Sequence, residues 1–136
     1  MKKSLVAGVT ATTTLTVDRE RTIGCTGEKT RVYATPMLVR DIEATCRELL
    51  FPHLDPGEDS VSTRVEIDHL AATLLGMTAE LTATVGAVRG RTVVFDVSGR
   101  DNVDLICRGR HSRFVVDLKL TEARLVAKAQ TVGIAV

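Results

Sequence analysis

Three side chains of complementary chemistry stand out: the hydroxyl of Thr35, the carboxylate of Glu43 and the imidazole of His69. An imidazole titrates near pH 6.5 and is the usual general base at neutral pH. A partly desolvated carboxylate can orient that imidazole, activate water, or attack an electrophile itself. A hydroxyl can position either group or bond a ligand. Each residue also has a plainer reading. Thr35 precedes Pro36, the pattern of a helix start, where a hydroxyl caps a free backbone N–H. Glu43 has Arg47 four positions on, an ordinary helical ion pair. A lone histidine such as His69 is most often structural, and so is His111, unless it borders a ligand. Cys46 is a further candidate nucleophile, but a cysteine in an aliphatic core is usually inert packing.

These groups must be positioned by few elements. Met37, Leu38, Ile42, Thr45, Cys46 and Leu49 recur at helical spacing, which predicts a helix from about Pro36 to Leu50 with Glu43 at the edge of its apolar face. Two prolines and a glycine between Phe51 and Gly57 end it. From Val61 to His69 the residues alternate. Val61, Thr63, Val65, Ile67 and His69 share the apolar face, which should lie against the helix and carry His69 at its end.

The rest of the chain also reads as strand. A first strand spans Thr10 to Val17, followed by a polar loop to Thr30. After His69, a connection to Met77 leads into a strand from Ala79 to Ala87. A turn at Arg89-Gly90-Arg91 leads to a hairpin partner from Thr92 to Ser98, with Val93, Phe95 and Val97 inward. A long last strand runs from Val103 to Leu118. Its apolar phase changes, which predicts a bulge or bend near Gly109. Residues Thr121 to Gln130 suit a short helix. The expected order is strand, loop, helix, then four strands as successive hairpins: an α+β sandwich with one helix on one face of an antiparallel sheet. Apolar surface left by such an arrangement predicts dimerisation through an edge strand.

Composition sets the outer limits. At 136 residues the chain is expected to form one domain. With 44% hydrophobic residues but only 3% aromatic, its core should be aliphatic. A net charge of +1 gives no support to nucleic-acid or membrane-surface partners. Cys25, Cys46 and Cys107 form neither a zinc pattern nor a disulfide framework, so no metal is expected and a reducing cytoplasm is. The apolar run after Met1-Lys2-Lys3 is short and turns threonine-rich, so a cleaved leader is not expected.

Several pieces recur together in order: Val32-Tyr33-Ala34-Thr35, Glu43, Leu54-Asp55-Pro56-Gly57-Glu58, His69-Leu70-Ala71-Ala72-Thr73, Gly76-Met77, Val88-Arg89-Gly90-Arg91 and Gly109-Arg110-His111-Ser112-Arg113. With the order of elements, they resemble the hot-dog fold, a curved antiparallel sheet wrapped around one helix. More specifically, from about Thr14 to Leu118 the chain resembles the fluoroacetyl-CoA thioesterase family. The resemblance implies hydrolysis of an acyl-CoA to a carboxylate and free coenzyme A. It implies Thr35, Glu43 and His69 as the catalytic group and Ser62, Gly76 and Arg113 as substrate-binding positions. No cofactor is expected beyond the coenzyme A of the substrate, and a homodimer or dimer of dimers is. Arg108 and Arg110 join Arg113, by charge alone, as candidates for the phosphates of coenzyme A.

Phenylalanines that form a lid in the fluoroacetate-resistance members have no counterpart in Thr26-Gly27-Glu28-Lys29-Thr30, so fluoroacetyl specificity is not expected. Thr35 and Glu43 are eight helical residues apart, about 12 Å, so a Thr35 at the helix start could not touch Glu43. A catalytically silent hot-dog module binding acyl-CoA or another small ligand is the alternative, with a hot-dog dehydratase or hydratase behind it.

Overall fold

A computed structural model describes residues 1–136. Strand β1 (Thr10–Thr16) is followed by a short two-stranded ribbon, β2 (Thr22–Ile23) with β3 (Val32–Tyr33). Helix α1 (Thr35–Leu50) comes next, then β4 (Glu58–His69), β5 (Thr78–Arg89), β6 (Thr92–Arg100), β7 (Leu105–Asp117) and α2 (Leu118–Thr131). The five long strands form one antiparallel sheet in the order β1-β5-β6-β7-β4. The successive-hairpin expectation therefore holds for β5, β6 and β7 only. Strand β4 pairs with β7, and the connection from His69 crosses to β5 on the far side.

Helix α1 fills the concave face. Leu38, Ile42, Cys46, Leu49 and Leu50 are buried on it, against Leu81, Ala83 and Val85 of β5, Val93, Phe95 and Val97 of β6, and Ile106 and Val115 of β7, all in one cluster. Burying each large aliphatic side chain contributes roughly 1.5–3 kcal/mol, so this stripe is what holds the helix inside the sheet. Asp41 is buried too. It accepts from Arg21 Nε at 2.8 Å and from the Tyr33 hydroxyl, and so ties the ribbon before the helix to the helix itself.

Two strand readings need correction. A bulge between Ser62 and Arg64 reverses the phase of β4. Ser60 and Ser62 pair with the inward stretch of β7, whereas Val61 lies opposite Phe114 and is 44% exposed. The odd face turns inward only beyond the bulge, where Val65 pairs with His111 and His69 with Cys107. On β7 the register against β4 runs unbroken past Gly109, and inward positions stay odd: Cys107, Gly109, His111, Arg113 and Val115. The supposed change of phase arises because two of those inward positions hold polar residues. A bulge does occur, but on the β6 side, between Gly99 and Arg100. Helix α2 is longer than expected and has no buried residue. No helix is long and apolar enough to cross a membrane.

Candidate active site

Thr35 is the first residue of α1, and the N-cap position belongs to Ala34, which offers no side-chain cap. The expected capping role is therefore not the one Thr35 plays. Its hydroxyl lies 2.8 Å from His69 Nδ1. His69 reaches it from the last position of β4, where the inward phase brings the ring toward the start of α1. The other ring nitrogen, Nε2, is buried without a partner. Burial holds the His69 pKa below its ordinary value, so the ring is neutral at physiological pH. Beside this pair runs a groove of about 320 Å³ lined by Ile23, Val32, Tyr33, Thr35, His69, Leu70, Ala71 and Ala72. A neutral imidazole at the wall of an apolar groove suits proton transfer to a small, largely apolar ligand.

Glu43 lies two turns further along α1, half-buried. Within one chain it is not joined to the Thr35–His69 pair. Its charge acts instead on Cys46, His111 and Arg113. Arg113 is only 5% exposed and is in contact with no carboxylate. It donates from Nε to Ser60 Oγ at 2.7 Å, from Nη1 to Ser62 Oγ at 2.9 Å, and from Nη2 to the Ser60 carbonyl at 2.8 Å. Its Nη1 also lies 3.2 Å from His111 Nε2. His111 Nδ1 is 2.9 Å from the Arg64 carbonyl, which can only accept, so Nδ1 carries the proton and Nε2 accepts from Arg113. Burial lowers the pKa of both His111 and Arg113, and for His111 the neighbouring guanidinium adds to this.

Of the three arginines grouped by charge, only Arg113 is inside. Arg108 and Arg110 are exposed on the outer face, with Glu66, Asp68 and Asp96 around a separate hollow of about 420 Å³. Arg110 is 3.4 Å from Asp96, an exposed pair of little energetic weight. That hollow is larger than the groove, but it is on the opposite side of the sheet from His69. Ser62 belongs to the Arg113 cluster. Gly76, with φ of +93°, forms the turn before β5, donates its N–H to the Val17 carbonyl and does not line the groove. Cys46 is fully buried, and burial pushes its thiol up to about 12, so it is not a thiolate nucleophile at neutral pH. The part of the cluster that sequence reasoning missed is Ser60. Ser60 and Ser62 have a period-two spacing, but only the pairing with β7 reveals that both serve Arg113.

This architecture is similar to solved thioesterases. A crystal structure of the fluoroacetyl-CoA thioesterase FlK superposes with a TM-score of 0.83 at 32% identity, covering 91% of this chain and 97% of the other. A thioesterase superfamily member from Thermus thermophilus gives a TM-score of 0.87 at 27% identity, covering 95% and 96%. A FlK variant in complex with fluoroacetate and CoA gives 0.79 at 32% identity, covering 86% and 99%. In sequence, the fluoroacetyl-CoA thioesterase of Streptantibioticus cattleyicolor is 38% identical over 97 residues, 71% of this chain and 70% of its own length. The model of the FlK family, fluoroacetyl-CoA-specific thioesterase, matches residues 17–119. With its hot-dog architecture, the chain belongs to this family of thioester hydrolases.

Proposed function

We propose that the protein hydrolyses the thioester of a small acyl-CoA, using Thr35 and His69 of one subunit together with Glu43 of a second. The observation that carries this reading is the Thr35–His69 hydrogen bond at the wall of the groove, with Nε2 of the same ring buried and unpartnered. In the tautomer that donates Nδ1–H to Thr35 Oγ1, Nε2 holds a free lone pair. Thr35 is then a positioning residue, and Nε2, reached by water only when the groove opens to admit substrate, is the base that takes the proton of the attacking water. The water oxygen bonds to the thioester carbon, the C–S bond breaks, and the proton passes to the coenzyme A sulfur. In the first turn of α1 Pro36 has no N–H and those of Met37 and Leu38 donate to the Ala34 carbonyl, so the unpaired Thr35 N–H is the backbone donor that suits the oxyanion formed between these events.

Glu43 is about 12 Å along the helix from Thr35, which argues for a second subunit. Strand β4 is an open edge of the sheet, 12 residues long, with Val61 and Val65 exposed on it. An unpaired edge of that length favours pairing with a copy of itself. Antiparallel pairing about the middle of β4 sets the His69 end of one subunit beside the Ser60 end of the other. That end holds Arg113, on which the charge of Glu43 acts. A homodimer built this way has two clefts, each drawing on both chains.

The groove favours a short apolar acyl group. Segment 26–30, where a lid phenylalanine would stand, holds none, so a fluoroacetyl preference is not part of the proposal. The same three groups serve two routes: attack by water, or attack by Glu43 itself through an anhydride. The test is thiol release from a panel of short-chain, branched and aromatic acyl-CoAs, with His69→Ala and Glu43→Ala alongside. Loss of about 10²–10³-fold in each variant is expected. Equal rates in either variant would reject the assignment, and no release from any substrate would favour a silent binding module. Single turnover in ¹⁸O-water tests the anhydride route: label in Glu43 establishes it, with water having opened the anhydride at the Glu43 carbonyl, because direct attack by water leaves Glu43 unlabelled.

A further inference from the structure

Helix α2 has no place to bury itself in its own chain. None of its 14 residues is buried, and Leu118, Leu120 and Leu125 are 47–61% exposed. A helix of that length is marginal in water without a partner. Leu118, Leu125, Ala129 and Val132 are spaced by seven, four and three residues, which gathers them into one stripe. All but the first two residues of α2 lie beyond the 17–119 stretch matched by the family model. The groove beside His69 has the complementary deficiency. Ile23, Leu70, Leu74 and Leu75 around it are 41–47% exposed, and the segment that could supply a lid has no aromatic side chain.

We infer that α2 of one subunit lies over the apolar groove of its partner and forms part of the wall against the acyl group. The inference rests on the β4-paired dimer proposed above, and strand directions carry it. Strand β4 is antiparallel to β7, so a partner β4 paired antiparallel to β4 runs in the same direction as β7. The chain leaving β7 as α2 and the chain leaving the partner's β4 as its Leu70–Leu75 segment therefore emerge at the same end of the joined sheet. The Leu118 N–H donates to the Gly57 carbonyl at 3.0 Å, which pins the start of α2 beside the first residue of β4. The sideways offset is two strand spacings, about 10 Å. That matches the distance at which a helix packs against a neighbouring element. At about 1.5 Å per residue, α2 is about 21 Å long, enough to span the groove. Charge agrees with this placement. Helix α2 carries Lys119, Arg124 and Lys128 against one acid, Glu122, while Asp101, which accepts from Thr73 and from the Asp104 N–H, belongs to the groove end of the sheet.

The test uses the full chain. Sedimentation first establishes the oligomeric state. A photoreactive benzophenone side chain is then carried at Leu125 in one chain and mixed with an isotope-labelled copy lacking it. Irradiation is expected to join the 119–136 region of the first chain to residues 70–76 or 22–34 of the labelled one. A dimer that shows only cross-links within one chain, or none, overturns the inference and leaves the dimer reading intact. A monomer overturns both. Because Leu125 is exposed in the single chain, Leu125→Asp should fold normally. It is expected to raise KM for short acyl-CoAs about five- to tenfold with little change in kcat. An unchanged KM in a dimeric variant would also overturn the inference.

Discussion

Arg113 is a cation withdrawn from water with only neutral hydrogen-bond acceptors, an arrangement that folding alone does not favour. The desolvation that lowers its pKa opposes its four hydrogen-bond contacts, so its net effect on stability is small. Its proposed effect on the site is larger, because the charge of Glu43 acts on it. Arg113→Met leaves the Ser60 carbonyl and His111 Nε2 without their donor, and is therefore expected to cost only about 1–3 kcal/mol of stability while reducing thiol release by about 10²-fold. Paired melting and kinetic measurements check this, and a large fall in Tm with unchanged turnover would contradict it. The neighbouring histidines give a pH signature. His69 and His111 both have folded pKa values below the ordinary 6.5 because they are buried. Between that lowered value and 6.5 the unfolded chain binds more protons, so stability is full above about pH 6.5 and falls on acidification through the folded pKa. The carboxylates held low by ion pairs, such as Asp59 beside Arg47, lose their contribution only below the ordinary carboxylate range. A Tm that is flat from pH 8 to 7 and already declining between pH 6 and 5 is expected from a melting series.

At the scale of elements, the ladder between β4 and β7 depends on one missing side chain. A Cβ at Gly109 would stand 1.9 Å from the Glu66 carbonyl oxygen, a backbone atom that cannot move aside. Gly109→Ala is expected to destabilise the protein by about 2–3 kcal/mol, read as a lowered midpoint in urea unfolding. The same pair of strands marks where sequence reading reached its limit. Helix α1 was legible because its stripe repeats without interruption, and β6 was legible because Val93, Phe95 and Val97 alternate cleanly. In β4 the bulge after Ser62 exchanges faces, and no residue type announces it. In β7 the interior accepts Gly109, His111 and Arg113, so the apolar residues trace the wrong face. The polar interior that defeats the pattern is also the cluster nearest Glu43. Thr35 and His69 could be named from the sequence, but their hydrogen bond requires knowing that β4, not β5, borders β7 at the sheet edge.

At the scale of the whole molecule, the assignment of chemistry to two chains makes a quantitative prediction. Suppose Glu43 of one subunit acts with Thr35 and His69 of the other. A Glu43→Ala chain and a His69→Ala chain are each inactive alone, but a hybrid dimer contains one cleft with both defects and one with neither. Random exchange makes half the dimers hybrid, and each hybrid has one working cleft of two. Mixing and re-equilibrating the two variants should therefore restore about a quarter of wild-type thiol release. If instead each cleft drew all three groups from one chain, every cleft in the hybrid would contain a defect and no activity would return. An intermediate result cannot arise from a fixed geometry with full exchange, which mass spectrometry of differently labelled chains verifies. The experiment is sensitive to subunit arrangement, not to the identity of the acyl group, provided any substrate of the panel is turned over. Recovery is expected because, within one chain, the Thr35 hydroxyl is committed to His69 and Glu43 faces Arg113, two helical turns away.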